Sequence, residues 1–531
     1  MSAELGLAII GAIDIGLKYG NELRKICSAL NGAESEIAER SLRLDDGCYR
    51  CIAQLQFLRQ IQHVMDDGHR ELQERTLRML IEKLTLAKSL LRSMVTTRLV
   101  DGQCGTEVVF TPKAVKYAFR KEKLDRAIEA FETWQRLSDP SWFLIFKIRD
   151  AQLENTLKMD ESIATLPVAS ITSIRAGLDG NGSDSAPGPA LALPAEALGQ
   201  MDMTEIALSC CTLASSPKAG KATTYILESV RLQHPDLYQH TKRDIRNLAR
   251  RLQHDEPQTF GLLNCKGFIS ERPDRLRGSP ARFTIVSRTP AGFANPRSLR
   301  DLLLHTTPDS LSEKFLAAQE LAKAVAYVHV FGFVHKGIRP ESILSFEPAV
   351  ATAAGDGGLF SSLFLVGFED FRKEDGRTRR LGDCAVERNL YRHPSRQGAT
   401  PSSDFAMQHD IYSLGVCLLE IGLWQSLVEY DGDGQHPAIS PLLGVPPRTP
   451  EEGVAQFVLG SAKAKFIDLA RTRLPRCMGT RYSDIVETCL SCLDPENSEF
   501  GDQDEFEDAD GVLVGVRYIE KILHRLDLLC V

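Results

Sequence analysis

The sequence predicts a multidomain protein of α and α+β class, an N-terminal helical bundle followed by a bilobal unit of strands and helices. Three observations predict it. The chain has 531 residues, too long for one hydrophobic core, since cores stop growing at roughly 250 to 300 residues. Apolar residues recur at helical spacing from residue 5 to residue 166. A Gly-, Ser-, Pro- and Ala-rich stretch then intervenes, and beyond it short strand-like runs alternate with helical ones. The boundaries that follow are a bundle over 1–166, a flexible linker over 167–200 and a mixed unit over 201–531, its smaller lobe over 201–290 and its larger over 291–531.

The first helix runs from Leu5 to Leu30, with Leu5, Ile9, Ile10, Ile13, Leu17, Leu23, Ile26 and Leu30 near helical spacing and Gly6, Gly11, Gly16 and Gly20 between them. Three-and-four spacing of Leu, Ile, Phe and Met predicts further helices over 33–64, 69–99, 112–137 and 141–166. Thr111-Pro112 suits a helix start, Thr as cap and Pro in the first turn. The linker reading rests on the run from Gly180 to Pro189. Beyond it, strands are expected over 223–227, 261–269 and 282–286, helices over 311–331 and 409–423, an acidic connector over 494–510 and a last helix over 516–529.

Hydrophobic residues make up 43% and charged residues 25% of the chain, a globular composition. The net charge of −8 gives no reason to expect nucleic-acid binding. The 13 cysteines are scattered through apolar segments, and Met1 to Glu4 lacks the basic start of a signal peptide, so a reducing, cytoplasmic setting is expected. Cys48-x-x-Cys51 and Cys489-x-x-Cys492 have metal-like spacing without a second close pair, which favours buried helix faces over a metal or redox site. No metal is expected. No window holds about 18 uninterrupted apolar residues, so a constitutive transmembrane helix is not expected.

The run His335-Lys336-Gly337-Ile338-Arg339-Pro340-Glu341-Ser342-Ile343-Leu344 has the frame H-R-D-L-x-P-E-N-I-L. It follows Leu321-Ala322-Lys323-Ala324-Val325-Ala326-Tyr327-Val328-His329, and downstream come Leu363-Phe364-Leu365-Val366-Gly367-Phe368-Glu369, Tyr391-Arg392-His393-Pro394 and Asp410-Ile411-Tyr412-Ser413-Leu414-Gly415-Val416. In order and content these landmarks resemble those of protein kinases. The resemblance implies a kinase-like fold in which His335 and Phe368 join the column between lobes and Asp410 braces the catalytic loop.

The resemblance also implies losses. Gly337 stands in the slot of the catalytic Asp, Ser342 in that of a metal-binding Asn and Gly367 in that of the metal-binding Asp. No G-x-G-x-x-G phosphate loop precedes residue 223, where Ala219-Gly220-Lys221-Ala222 has one glycine. The strand lysine that pairs with nucleotide phosphates is expected near Val230 or Arg231. Residues 242–252 offer Asp244 as their only acid in place of the helix glutamate. Phosphoryl transfer relies on positioning and on charge neutralisation by metal ions, so these losses remove the main source of rate. Arg231, Arg339 and Glu369 are left as candidate nucleotide contacts.

The opening Leu5 to Asp14 and the segment Val115 to Leu124 resemble the HeLo-like bundles of fungal incompatibility and cell-death proteins. That resemblance implies a first helix able to leave the bundle and enter a membrane. Leu5, Ile9, Ile10, Ile13 and Leu17 are then the membrane candidates, with Lys18, Arg24, Lys25, Lys113, Lys116, Arg120, Lys121 and Lys123 meeting anionic headgroups. The plainer reading makes helix 1 a core helix and these charges a solvated face. A bundle joined to a kinase-like module is similar to the architecture of mixed-lineage kinase-like pseudokinases.

Together these readings predict a catalytically inactive signalling protein whose kinase-like module regulates a helical bundle in cell death or incompatibility. No cofactor is expected, with ATP binding without magnesium as the open case. Expected partners are a protein or upstream receptor, anionic membrane lipids and further copies of the bundle. The expected location is the cytoplasm with recruitment to the plasma membrane. The alternatives are an atypical Ser/Thr kinase and a soluble adaptor.

Overall fold

The computed structural model describes residues 2–30, 35–61, 67–102, 105–112, 114–137, 191–199, 201–216, 224–230, 232, 238–253, 257–271, 282–308, 310–348, 362–369, 371–373, 382–431, 436–446, 448–497, 500, 522–523, 525–526 and 529. The helix expected over 141–166, Lys113 and Arg231 lie outside these residues, as do most of the stretches 167–200, 494–510 and 516–529. Contacts divide the chain into two compact units, Met1–Thr172 and Ser173–Val531.

In the first unit, helices α1 (Ser2–Ala29), α2 (Ser35–Ile61), α3 (Asp67–Met94) and α4 (Ala114–Leu137) pack α1 on α2 and α3, and α4 on α2 and α3. Ile9, Ile13, Leu23, Leu44, Leu55, Leu80, Leu84, Ile128 and Phe131 fill the core. A Cβ at Gly16 would lie 2.7 Å from Leu55 Cδ1, and one at Gly20 would lie 3.0 Å from Ile52 Cγ1, so these glycines set the approach of α1 to α2. Bidentate pairs Arg40–Asp125 and Arg43–Glu132 fasten α2 to α4.

The helix expected to reach Leu99 stops at Met94. A hairpin of β1 (Val95–Gly102) and β2 (Gly105–Pro112) follows, pairing Val95 with Pro112 and Gly102 with Gly105. Its β-branched runs Val95-Thr96-Thr97 and Val108-Val109 fit a pleated strand better than a helix. The first unit is therefore helical with a β-hairpin inserted.

In the second unit, strands β3 (Ala192–Leu193), β4 (Asp202–Glu205), β5 (Cys211–Ser215), β6 (Thr224–Val230), β7 (Cys265–Glu271) and β8 (Arg282–Arg288) form a sheet of order β3-β7-β8-β6-β5-β4. All neighbours are antiparallel except β3 on β7. Leu191 to Leu193, inside the stretch expected as flexible linker, thus joins the sheet, where Phe268 N donates to Leu191 O at 2.8 Å. Strand β7 starts four residues later than expected, because Gly261 takes a positive φ of 61° beside Ala324. Helix α5 (Tyr238–Arg251) packs on this sheet through Ile245, Leu248 and Ala249.

The larger lobe is built on helices α6 (Leu311–Val330), α7 (Met407–Leu423) and α8 (Thr480–Leu490). A second sheet, order β12-β11-β9, joins β9 (Phe293–Ser298), β11 (Ile343–Pro348) and β12 (Leu363–Leu365), and the short β10 (Phe333–Val334) precedes the loop that begins at His335. A sheet lobe followed by a helical lobe gives the expected bilobal arrangement. Both ends of the loop from 335 to 342 are thereby fixed to regular elements.

Candidate functional site

The anchor of the site is Asp410, fully buried on α7. Its carboxylate accepts from the backbone N–H of His335 at 2.8 Å and of Lys336 at 2.9 Å, and meets His329 Nε2 at 3.1 Å. Burial opposes its ionisation, but these donors, His329 first, hold its pKa below the usual carboxylate range. Lys336 is held at a φ of 67°, a conformation unfavourable for a side-chain-bearing residue, by this pair of bonds.

His335 is equally buried, and burial drives its pKa down to about 4. Gly337 N donates to its Nδ1 at 3.3 Å, so the neutral ring carries its proton on Nε2 and donates to Val366 O at 3.0 Å. The ring lies 4.7 Å from that of Phe368, which in turn meets Phe371. His335, Phe368 and Asp410 therefore tie the loop to both α7 and the segment after β12.

The positions expected to carry chemistry are used differently. Ser342 Oγ accepts from Arg339 N at 3.1 Å and sits 2.8 Å from Gly337 O, so it closes the loop on itself. Gly367 has a φ of 82°, and a Cβ there would lie 2.7 Å from Cys210 Sγ and 2.8 Å from Ser342 Cβ. An aspartate at this position would need its neighbours to move.

The cleft is closed by its own residues. The turn joining β4 to β5, Ile206 to Cys210, contains no glycine and folds onto the loop: Cys210 N donates to Glu341 O at 3.2 Å, and Ser209 Oγ to the same oxygen at 3.2 Å. Ser298 Oγ bonds Ala207 O at 2.8 Å. Behind the turn, Ile206, Cys211, Ile226, Leu263, Leu344, Phe346, Phe364 and Val366 form one apolar cluster spanning both lobes.

Glu228 completes it. Side chains two apart on a strand share a face, so on β6 Glu228 follows Ile226 into the interior, where it is 2% exposed. Its Oε2 accepts from Gly367 N at 2.7 Å and Phe368 N at 3.3 Å. Burial pushes its pKa up to about 7, against the pull of those N–H groups. The phosphate-pairing lysine was expected near Val230 or Arg231; the β6 side chain that reaches Gly367 and Phe368 is instead this carboxylate. Sequence reasoning missed Glu228 and Cys210. The alternation Ile226, Glu228, Val230 was a readable signal for the first.

Beneath the loop, Arg300 is wholly buried and bonds Glu341 at 3.0 Å, Glu420 at 2.8 Å, Ser426 at 2.6 Å and the Tyr391 hydroxyl. Glu341 also accepts from Tyr430 at 2.7 Å. Burial would raise the Glu341 pKa, but Arg300 and Arg339 together hold it low. Arg339 and Glu369, expected as nucleotide contacts, lie 3.8 Å apart on the solvent side of the loop. Among the described residues, no three metal-ligating side chains converge.

Against known proteins, 108 residues of the chain are 32% identical to eukaryotic translation initiation factor 2-alpha kinase 1 of Rattus norvegicus, and 103 residues are 32% identical to the same-named protein of Mus musculus. The second unit is a protein kinase-like domain. The match covers 19% of this chain and spans 16% of each relative's length. No family model matches the chain. The kinase-like domain thus keeps the braces of its loop, and its cleft holds apolar side chains and a carboxylate.

Proposed function

We propose that the kinase-like domain is catalytically silent and serves as a signalling module. The observation that carries this reading is the Glu228 carboxylate on the Gly367 and Phe368 N–H groups, with Cys210 packed where an aspartate side chain would extend. A carboxylate at that point repels a triphosphate, whereas a kinase needs positive charge and metal ions there. Gly337 can neither take a proton nor orient a hydroxyl. Incubation of the full chain with labelled ATP and magnesium is expected to transfer no phosphate to itself or to a general protein substrate. Magnesium-dependent transfer would make the protein an atypical kinase. The initiation factor named in the relatives is not carried over as a substrate, because the shared stretch is a small part of either protein.

The finer reading is that this module regulates the N-terminal helical unit, as in cell-death proteins with HeLo-like bundles. What supports it is the joining of such a unit to a silent kinase-like domain. Among the described residues no helix is long and apolar enough to cross a membrane. Ile9 and Ile13 are 1% and 0% exposed, Ile10 and Leu17 are half-buried, and the Leu5 side chain lies outside the described residues. Withdrawing Ile9 and Ile13 from the core costs roughly 1.5 to 3 kcal/mol each, so release of α1 requires a ligand or partner that favours the released state by at least that sum. Arg24, one of the headgroup candidates, is paired with Asp45 at 2.8 Å. In this reading the resting chain does not leak anionic vesicles. Leakage by the resting chain would show that the module imposes no restraint, and failure to bind vesicles under every condition would leave a soluble adaptor.

A further inference from the structure

On the solvent side of the loop lies a small pocket open to solvent, lined in part by Lys336, Gly337, Arg339, Glu369, Arg388 and Arg392. Four of these side chains are cationic and one is acidic. The side chains of Arg339 and Arg388 are only 12% and 17% exposed. Yet their nearest carboxylate oxygens are far: Arg339 to Glu341 and Glu369 at 3.8 Å each, and Arg388 to Glu369 at 3.5 Å and Asp383 at 3.8 Å. Arg392, by contrast, bonds Asp383 at 3.0 Å. A guanidinium carries five N–H donors. Two such groups thus stand at one pocket, little exposed, with ion pairs too long for good hydrogen bonds.

The floor is open for a related reason. A Cβ at Gly337 would meet nothing nearer than 3.7 Å, so the missing side chain leaves room and removes a negative charge at once. We propose that this pocket binds a phosphate dianion held by Arg339 and Arg388. Guanidinium groups match phosphate oxygens in a bidentate manner, and a dianion satisfies donors that Glu369 alone leaves short. The site rests on the silent reading of the loop, since an acid at 337 would repel the ligand. The dianion has two sources, a phosphorylated serine or threonine of a peptide and a free phosphate.

The test is calorimetric titration of the full chain with an alanine-based hexapeptide bearing one phosphoserine, with its serine counterpart and with inorganic phosphate. Binding of the phosphopeptide and not of the serine peptide is expected, weakened tenfold or more by Arg388→Ala and by Gly337→Asp and tightened severalfold by Glu369→Gln. The aspartate at 337 is sterically tolerated, and melting curves of each variant check the fold. Binding of inorganic phosphate with exclusion of the phosphopeptide assigns the site to a free anion. Absence of binding by either phosphate, or binding indifferent to Gly337→Asp and Arg388→Ala, overturns the proposal. Phosphate transfer from ATP in the same preparation would instead overturn the silent reading, so the two failures are distinguishable.

Discussion

At Glu228 the occupancy of the cleft and the stability of the fold meet in one carboxyl group. Its pKa is about 7 in the folded chain against an ordinary 4.5, so between those values the folded state binds the extra proton. Its contribution to stability is therefore complete below about pH 4.5, falls as pH rises and is lost above about pH 7. His335 works in the opposite sense: lowered to about 4 from 6.5, it takes stability away as pH falls through that window. Glu228→Gln keeps an acceptor for Gly367 and Phe368 and cannot ionise. Its stability is expected to match that of the parent near pH 5 and to exceed it at pH 8, by a difference on the order of 3 kcal/mol at most. Urea melts at the two pH values check this; a variant less stable at pH 8 would show that the charged form is the one the fold prefers.

The braces His335 and Asp410 were legible because a short local pattern carries them, and the backbone bonds of Asp410 follow from its place in that pattern. Glu228 was not, since its meaning lies in which residues face it across the cleft. Cys210 was hidden for the same reason. Its importance comes from contact with Gly367 and Glu341, far away in sequence.

Among the elements, helices α6 and α7 fell where apolar spacing put them, since both are long and heavily buried. The hairpin over 95–112 was read partly as helix, because Leu99 continued the apolar period of α3 and outweighed the β-branched residues around it. Leu191 to Leu193 was read as linker because composition carries no information about a neighbouring free sheet edge. The packing of α7 on α8 gives a sharper expectation. A Cβ at Gly415 would lie 2.6 Å from Cys489 Cβ and 3.2 Å from Leu490 N, atoms close to or within a helix backbone that cannot turn aside. Gly415→Ala should therefore cost about 1 to 3 kcal/mol despite the better helix propensity of alanine. Chemical unfolding of the variant measures it, and a neutral or stabilising result would mean that the helices separate easily.

For the whole molecule, the retained and lost features separate by role. Buried groups that fix the loop, Asp410, His335 and Arg300 with Glu341 and Glu420, are bonded to partners across the larger lobe, although Glu341 Oε2 has no hydrogen bond of its own. Groups that would face nucleotide and metal are replaced by glycine, by serine turned onto its own loop, or by a carboxylate. The cleft is stabilised by filling it from within. A direct measurement is the thermal stability of the full chain titrated with ATP, with and without magnesium. A ligand at a hundred times its Kd stabilises the folded state by about 2.7 kcal/mol, which is readily seen as a rise in Tm. The filled cleft predicts no magnesium-dependent rise up to millimolar ATP; a saturable rise that requires magnesium would contradict it.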